Sequence, residues 1–357
     1  MAAANWSWQR WGSCQIIHRL CRRRCMVGLG SMRILCLQLK RIGDAILTAP
    51  ALQAMREAWP QAHLTLVLHG PSGGLAPAFA AADEVLVYAP GRPNVALWSR
   101  VFAENWDRCY DFTGTDRSAL LARLSRAAHV AGYRKMVGKR AWRADGYTDW
   151  CDAPVRDLHT VDFHLALTGL PAPQATGLMI PGGLADGIRG LPTGEFIVVH
   201  PGTARAEKYW RPERWAEVIA RLPLPVVLTG STDRAEQAHL AAIRSALGSS
   251  GLALHDLSGQ LTLLELASVI DRARLVLSVD SAAMHLAAMA RRPQVALFGP
   301  TNPFHWRPRH PAARVVTAGG GTASVAGPRQ ATAPMDALST SVVLAAIDEL
   351  CDRHPAA

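Results

Sequence analysis

Short apolar runs alternate with helical patterns along this chain, and the alternation occurs twice. The first series starts at Met32–Leu39, whose apolar run predicts a buried strand, and continues into a helical pattern over Ala45–Trp59. A Pro- and Gly-rich stretch, residues 171–194, interrupts the series, and a second one starts at Phe196–His200. Strands that alternate with helices indicate parallel sheets covered by helices. The sequence therefore predicts an α/β fold with two Rossmann-like, doubly wound domains.

The remaining predicted elements follow this alternation. Further strands are predicted at His63–His69, Glu84–Tyr88, Cys109–Phe112, His129–Tyr133, Pro225–Thr229, Leu252–Leu257, Leu275–Val279 and Val295–Phe298. Further helices are predicted at Val95–Trp106, Arg117–Arg126, Glu213–Leu222, Asp233–Leu247, Thr262–Arg272, Ala282–Ala290 and Met335–Leu350. We assign residues 32–175 to the first domain, 176–194 to a linker with one short strand, 195–334 to the second domain, and 335–357 to a C-terminal helix.

Composition excludes several classes of protein. Apolar residues make up 49% of the chain and charged residues 18%, which is typical of a globular protein with sizeable cores. There is no apolar run of about 18 residues, so we expect no membrane-spanning helix. Seven cysteines without a C-x-x-C pair argue against a disulfide scaffold and a zinc ribbon. They favour a reducing, cytoplasmic setting.

Residues 1–31 differ from the rest of the chain. They hold five arginines, no acid and three of the eleven tryptophans, and they lack the apolar core of a signal peptide. We expect a disordered extension or a mis-assigned start, while contact with a membrane surface stays open. Without this segment the formal charge falls from +10 to +5, because 33 basic and 28 acidic residues remain. A mildly basic body suits an anionic substrate or membrane face and does not by itself indicate nucleic acid.

Ligands of such folds bind beyond the carboxyl ends of the strands, so the residues after each strand are the candidates for a site. Gly43 and Asp44 follow the first strand, and Gly43 permits a close backbone approach. Asp44 is interpreted either as a carboxylate that caps the next helix or as a general base at the cleft. The G-x-G-x-x-G fingerprint of dinucleotide binding is missing at this turn.

The loop after Phe196–His200 is a candidate phosphate cradle. It contains Thr203 among small residues, and Arg205 and Lys208 add positive charge. The alternative interpretation is a solvated loop with surface charges.

A second candidate set follows Leu275–Val279. Asp280 and Ser281 lie at a strand-to-helix junction, where they cap the helix or bind hydroxyl groups, and the first N–H groups of the helix favour an anion. We add Ala282, Met284 and His285 to the substrate-binding set, although an isolated histidine at this position is more often a packed structural residue.

The segment His129–Arg143 is basic and contains no acid. It is either a solvated loop or a docking surface for an anionic acceptor, and its basic residues are Arg134, Lys135, Lys139, Arg140 and Arg143.

Three blocks of sequence, taken together, resemble one family. They are RIGDAILTAPALQAMREAWPQAHLTLV, HPGTARAEKYWRPERWAEVI and LSGQLTLLELASVIDRARLVLSVDSAAMHLAAMARRPQVALFGPTNP, with a weaker echo at Met335–Ala337. Their order and spacing are similar to those of glycosyltransferase family 9, the heptosyltransferases of lipopolysaccharide core synthesis. The resemblance implies the GT-B fold, in which the N-terminal domain holds the acceptor, the C-terminal domain holds an ADP-sugar, and the final helix packs back on the N-terminal domain.

The resemblance also implies roles for single residues. By position, Asp44 matches the catalytic base, Thr203 and Lys208 match the diphosphate-binding residues, and Asp280 matches the aspartate that binds the donor sugar. The implied reaction is an inverting transfer of heptose from ADP-L-glycero-D-manno-heptose to the lipid A–core acceptor at the inner face of the inner membrane. We expect no cofactor, no metal and no nucleic-acid partner.

Two departures from the family pattern stand out. Ala282-Ala283 replaces a Gly or Gly-Pro pair, and a Cβ there narrows the approach to the phosphates. The segment GGGTASVAGPRQATAP replaces a cysteine cluster, and we expect a disordered or plain loop there.

Three alternatives stay open. The first is a family member that uses another nucleotide sugar for a different surface glycan. The second is a catalytically idle GT-B binding protein, which Ala282-Ala283 alone favours. The third is a nicotinamide-dependent oxidoreductase, which the missing glycine fingerprint disfavours.

Overall fold

The computed structural model describes residues 31–137, 141–248, 253–319, 321–322 and 332–353. The predicted N-terminal extension, apart from residue 31, lies outside the described residues, and so does Arg140. Most of the loop that replaces the cysteine cluster also lies outside them.

The N-terminal half forms a six-stranded sheet in the order β3-β2-β1-β4-β5-β6, and all of its paired strands are parallel. Its strands are β1 (Arg33–Gln38), β2 (His63–His69), β3 (Glu84–Tyr88), β4 (Arg108–Asp111), β5 (His129–Tyr133) and β6 (Asp149–Cys151). Its helices are α1 (Ile42–Ala58), α2 (Val95–Ala103), α3 (Asp116–Ser125), α4 (Arg134–Val137), α5 (Ala141–Ala144) and α6 (Thr160–Thr168), with a 3-10 segment at Gly70–Ala78. The central β1 is buried from Ile34 onward, as its continuous apolar run predicts.

The C-terminal half forms a seven-stranded sheet in the order β13-β12-β11-β10-β7-β8-β9. Six strands are parallel: β7 (Ile197–His200), β8 (Val226–Leu228), β9 (Leu254–Asp256), β10 (Leu275–Val279), β11 (Gln294–Phe298) and β12 (Ala313–Thr317). The short β13 (Gly321–Thr322) pairs antiparallel at the edge. The helices are α7 (Pro212–Ile219), α8 (Arg234–Leu247), α9 (Leu263–Arg272), α10 (Ala282–Met289) and α11 (Thr340–Arg353).

The predicted fold class, two doubly wound α/β halves, is confirmed by these sheets. The prediction missed elements that are short or carry polar residues within their apolar patterns, namely β6, β12, β13, α4, α5 and α6. The short strand expected in the linker is wrong, because the segment holds a 3-10 turn at Leu184–Gly187 instead.

The last helix packs on the C-terminal sheet. Its buried residues Val343, Ile347 and Leu350 join the apolar cluster of that half, and α11 contacts α7, β11 and β12. The expectation that it packs back on the N-terminal domain is therefore wrong. Among the residues that the structure describes, no helix has the length and hydropathy that crossing a bilayer requires.

The two halves meet through helices that begin at central strands. α1 follows β1, α10 follows β10, and the two helices pack against each other. A second link joins the start of α6 to the loop between β11 and β12, where His159 Nε2 lies 3.0 Å from the Arg307 carbonyl oxygen and Arg309 pairs with Asp162 at 2.7 Å. The carboxyl ends of both central strands therefore face a shared cleft.

Candidate functional site

A nearly buried ion pair lies at the carboxyl edge of the C-terminal sheet. Lys208 Nζ donates to Asp280 Oδ2 at 2.6 Å, and the two side chains are only 12% and 8% exposed. The fold explains the pairing, since β7 and β10 are adjacent and parallel and Ser278 is in register with His200. The residues that follow the two strands are therefore neighbours.

Two more residues of the loop after β7 were predicted to belong to this site. Thr203 Oγ1 makes a weak hydrogen bond to the Asp280 carbonyl oxygen at 3.5 Å, so it lies beside the ion pair. Arg205 does not join them, because its exposed guanidinium donates to Glu207 at 2.6 Å. The structure thus brings Thr203, Lys208 and Asp280 together and leaves Arg205 at the surface.

The N-terminus of α10 opens beside the ion pair. Ser281 occupies the N-cap position in an extended conformation, and its buried hydroxyl makes no hydrogen bond within the described part of the chain. The first N–H groups of a helix also lack intrahelical partners. An unpartnered buried hydroxyl next to free N–H groups is suited to an oxygen-rich anion.

The side chains of the other predicted residues of α10 lie in different surroundings. Met284 is fully buried and packs with Ala296 and Phe298, so its side chain is a core residue, and its assignment to substrate binding stays a prediction for its backbone N–H alone. Ala282 is half-buried at the first helical position. His285 is buried at the interface of the two halves, and its pKa is lowered to about 4, because the effect of burial outweighs the opposing charge of Asp280 and Lys208 acts in the same direction as burial.

Gly43 and Asp44 form the opposite wall. A Cβ built on Gly43 would lie 2.9 Å from His285 Cδ2, so this glycine allows α1 and α10 to approach closely. Asp44 lies in the first turn of α1, and burial raises its pKa, while Lys40 and the N–H groups of Arg41 and Asp44 oppose the rise. A carboxylate with a raised pKa holds a proton more readily, which suits a base at a cleft.

The basic segment after β5 is only partly described. Arg134 and Lys135 are exposed in α4, and Arg134 donates to Asp152 at 2.7 Å with its guanidinium 5.5 Å from the Trp150 ring centre. Arg134 is therefore already paired.

One buried charged residue of this region is not among the predicted site residues. Glu236, in the first turn of α8, is only 4% exposed and lies below the loop after β7. The glycines of H-P-G and T-G-S, each just beyond a strand, were the available signal. Within the described ranges, no group of three or more His, Cys, Asp or Glu side chains is arranged to hold a metal ion.

The chain is similar in sequence to lipopolysaccharide heptosyltransferases of two bacteria. Lipopolysaccharide heptosyltransferase 1 of Escherichia coli K12 is 27% identical over 299 residues, which are 76% of this chain and 89% of that protein. The protein of the same name from Pseudomonas aeruginosa is 27% identical over 296 residues, 76% and 80% of the two chains.

Solved structures show the same fold. The glycosyl transferase family 9 protein from Veillonella parvula superposes with a TM-score of 0.76 at 22% identity, covering 92% of this chain and 99% of that one. The E. coli heptosyltransferase WaaC with ADP-2-deoxy-2-fluoro heptose superposes with a TM-score of 0.67 at 24% identity, covering 89% and 99%. The profile of glycosyltransferase family 9 (heptosyltransferase) matches residues 94–325, well over half of the chain. The chain therefore belongs to glycosyltransferase family 9.

Proposed function

We propose that this protein transfers a heptose from an ADP-heptose to a hydroxyl group of the lipopolysaccharide inner core, with inversion at the anomeric carbon. The observation that carries the proposal is the buried Lys208–Asp280 pair beside the open N-terminus of α10, with Asp44 on the facing wall. These groups supply positive charge for a diphosphate, an acceptor for sugar hydroxyls and a base.

The ion pair between Lys208 and Asp280 opens when the donor binds, because each side chain then contacts a different part of the donor. Lys208 turns from Asp280 to the diphosphate oxygens, and the released Asp280 carboxylate accepts hydrogen bonds from the heptose. The hydroxyl of Ser281 and the first N–H groups of α10 bind the phosphate oxygens. Charge that develops on the leaving ADP is then stabilised by Lys208 in a site with little water.

Asp44 completes the reaction on the acceptor side. As the acceptor oxygen forms its bond to the anomeric carbon, the bond from that carbon to the phosphate oxygen breaks. Asp44 takes the acceptor proton, and ADP leaves with the bonding electrons. Attack from the side opposite the leaving group inverts the anomeric centre.

We place the acceptor at the inner face of the inner membrane, bound by the N-terminal half. α3 exposes Arg117, Arg123 and Leu120, and next to it Arg126 lies over the exposed ring of Phe102, 4.5 Å from its centre. Basic and apolar side chains together favour peripheral binding to anionic lipid. Co-sedimentation with vesicles of phosphatidylglycerol and phosphatidylethanolamine is expected, together with its loss at high salt. Equal binding to vesicles without anionic lipid would contradict this placement.

A donor screen tests the proposed reaction. The purified chain is incubated with ADP-heptose and with UDP- and GDP-sugars, each against core acceptors of increasing length. We expect nucleotide release with ADP-heptose and an inverted anomeric configuration in the product. Transfer from a UDP- or GDP-sugar instead would favour a different surface glycan, and ADP binding without any transfer would favour the idle binding protein.

A further inference from the structure

The buried carboxylate of Glu236 lies beneath the loops 201–208 and 229–231, and it is not one of the groups assigned to the reaction. Glu236 accepts hydrogen bonds from the backbone N–H of Ser231 at 2.7 Å and from its hydroxyl at 2.6 Å. Asp233 caps α8 by accepting from the N–H groups of Ala235 and Glu236 at 2.9 and 3.1 Å, which fixes the turn that carries the carboxylate.

Two glycines make room for this carboxylate. A Cβ built on Gly202 would lie 1.9 Å from Glu236 Oε1, and one built on Gly230 would lie 2.9 Å from the same oxygen. Neither glycine has a positive φ, so space rather than backbone conformation requires them. The carboxylate is thus seated between the loop after β7 and the loop after β8.

Three ring side chains, those of His200, Tyr209 and His239, lie near the carboxylate. His200 is buried with Nδ1 2.9 Å from Thr229 Oγ1, and burial lowers its pKa while Glu236 opposes the change. Tyr209 stacks on His239 with ring centres 4.4 Å apart, and the charge of Glu236 acts on both rings. Because Tyr209 follows Lys208 directly, this packing ties the end of the donor loop to α8.

We propose that Glu236 is a positioning residue for the donor diphosphate. Its carboxylate holds the loop 201–208 against the loop 229–231, and this fixes Lys208 and Thr203 beside Asp280 before the donor arrives. The inference rests on the proposed function for the identity of the ligand. A rigid loop loses less conformational freedom on binding, so the anchor increases the affinity for the nucleotide.

The test compares ADP affinities, measured by calorimetry, of four variants of the full chain. Glu236→Ala removes the acceptor of the Ser231 N–H and hydroxyl, so the loop 229–231 loses its anchor and we expect ADP to bind at least about tenfold more weakly. Glu236→Gln keeps an acceptor for that N–H and a donor for the Ser231 hydroxyl, so binding stays within about threefold of the wild type. Gly202→Ala forces the loop off the carboxylate, with a loss of at least about tenfold. In Gly202→Ala/Glu236→Ala the added methyl group enters the vacated space, so the losses do not multiply.

Glu213→Ala, which removes an exposed carboxylate from the first turn of α7, is the matched control and leaves the affinity unchanged. Wild-type affinity in Glu236→Ala, or losses that multiply in the double variant, would overturn the proposal. Amide hydrogen exchange without nucleotide separates it from the proposed function. Faster exchange at Ser231 and over 203–208 in Glu236→Ala supports the anchor even if the wild type fails to bind ADP, whereas unchanged exchange overturns it.

Discussion

Replacing Lys208 by methionine tests how much the buried ion pair contributes to stability. Methionine keeps the length and packing of the aliphatic stem but removes the charge. Asp280, only 8% exposed, is then left as a buried carboxylate without its cation. Removing one partner of a well-buried pair typically costs about 3–5 kcal/mol, and some remaining exposure of both groups places the expected cost near the lower bound, about 3 kcal/mol.

A double-mutant cycle isolates the interaction energy between Lys208 and Asp280. Asp280→Asn removes the charge from the other side, and the combined Lys208→Met/Asp280→Asn variant leaves neither charge buried. We expect the double variant to be more stable than the sum of the single losses by about 2 kcal/mol. Urea unfolding followed by circular dichroism gives the free energies of unfolding.

Arg205→Met is the matched control. Its guanidinium is 48% exposed and pairs with an equally exposed Glu207, so the free energy of unfolding changes by less than about 0.5 kcal/mol. Additive losses in the Lys208–Asp280 cycle would contradict this prediction, because they would mean that the two charges do not interact in the folded protein.

Three further predictions follow from other parts of the molecule. Asp44→Asn keeps the size of the side chain but removes the base, so kcat falls by about 10²–10⁴-fold while melting temperature and ADP affinity persist; near-normal transfer would leave Asp44 as a helix cap only. Gly299→Ala places a Cβ 2.5 Å from Met335 Sδ and lowers the free energy of unfolding by about 1–3 kcal/mol, whereas Gly194→Ala, which meets nothing within 4 Å, does not; equal denaturation midpoints would contradict this. Burial lowers the pKa of His164 from 6.5 to about 3, so its contribution to stability is complete above pH 6.5 and is lost as the pH falls toward 3, by up to about 5 kcal/mol. Melting temperatures from pH 8 to pH 4 should therefore fall less steeply in His164→Gln, and a parallel decline would contradict the assignment.

The placement of the donor residues could be predicted because it depends on topology. Residues after parallel strands gather at one edge of a sheet, and β7 and β10 are neighbours, so Lys208 and Asp280 meet. The direction of a long exposed side chain does not follow from topology. Arg205 turns to Glu207 two residues away, a local pairing that competes with any role in the cleft.

Other features depend on packing between distant segments. Glu236 is one of several carboxylates in helical first turns, and only its contact with two glycines on separate loops distinguishes it. The position of the C-terminal segment also depends on contacts between residues that are far apart in the sequence. Trp210 Nε1 donates to the Leu338 carbonyl oxygen at 3.1 Å, and Arg211 pairs with Asp336 at 2.8 Å. These contacts join the segment before α11 to the residues that follow the loop 201–208, and the apolar face of α11 then covers the C-terminal sheet.

The meeting of α1 and α10 explains why the cleft favours an anion. Both helices begin at the carboxyl end of a central strand, and the contact between Gly43 and His285 brings their N-termini together. Each N-terminus carries a partial positive charge, and Lys40 and Lys208 lie beside them. His285 between them stays neutral, because its pKa is lowered to about 4 by burial, which the opposing charge of Asp280 does not overcome and to which Lys208 adds. Two positive helix ends that face one another repel, and the carboxylates of Asp44 and Asp280 at these ends offset part of that repulsion. A diphosphate bound beside Lys208 would add negative charge close to both helix ends, so we expect binding of the proposed donor to strengthen the contact between the two halves.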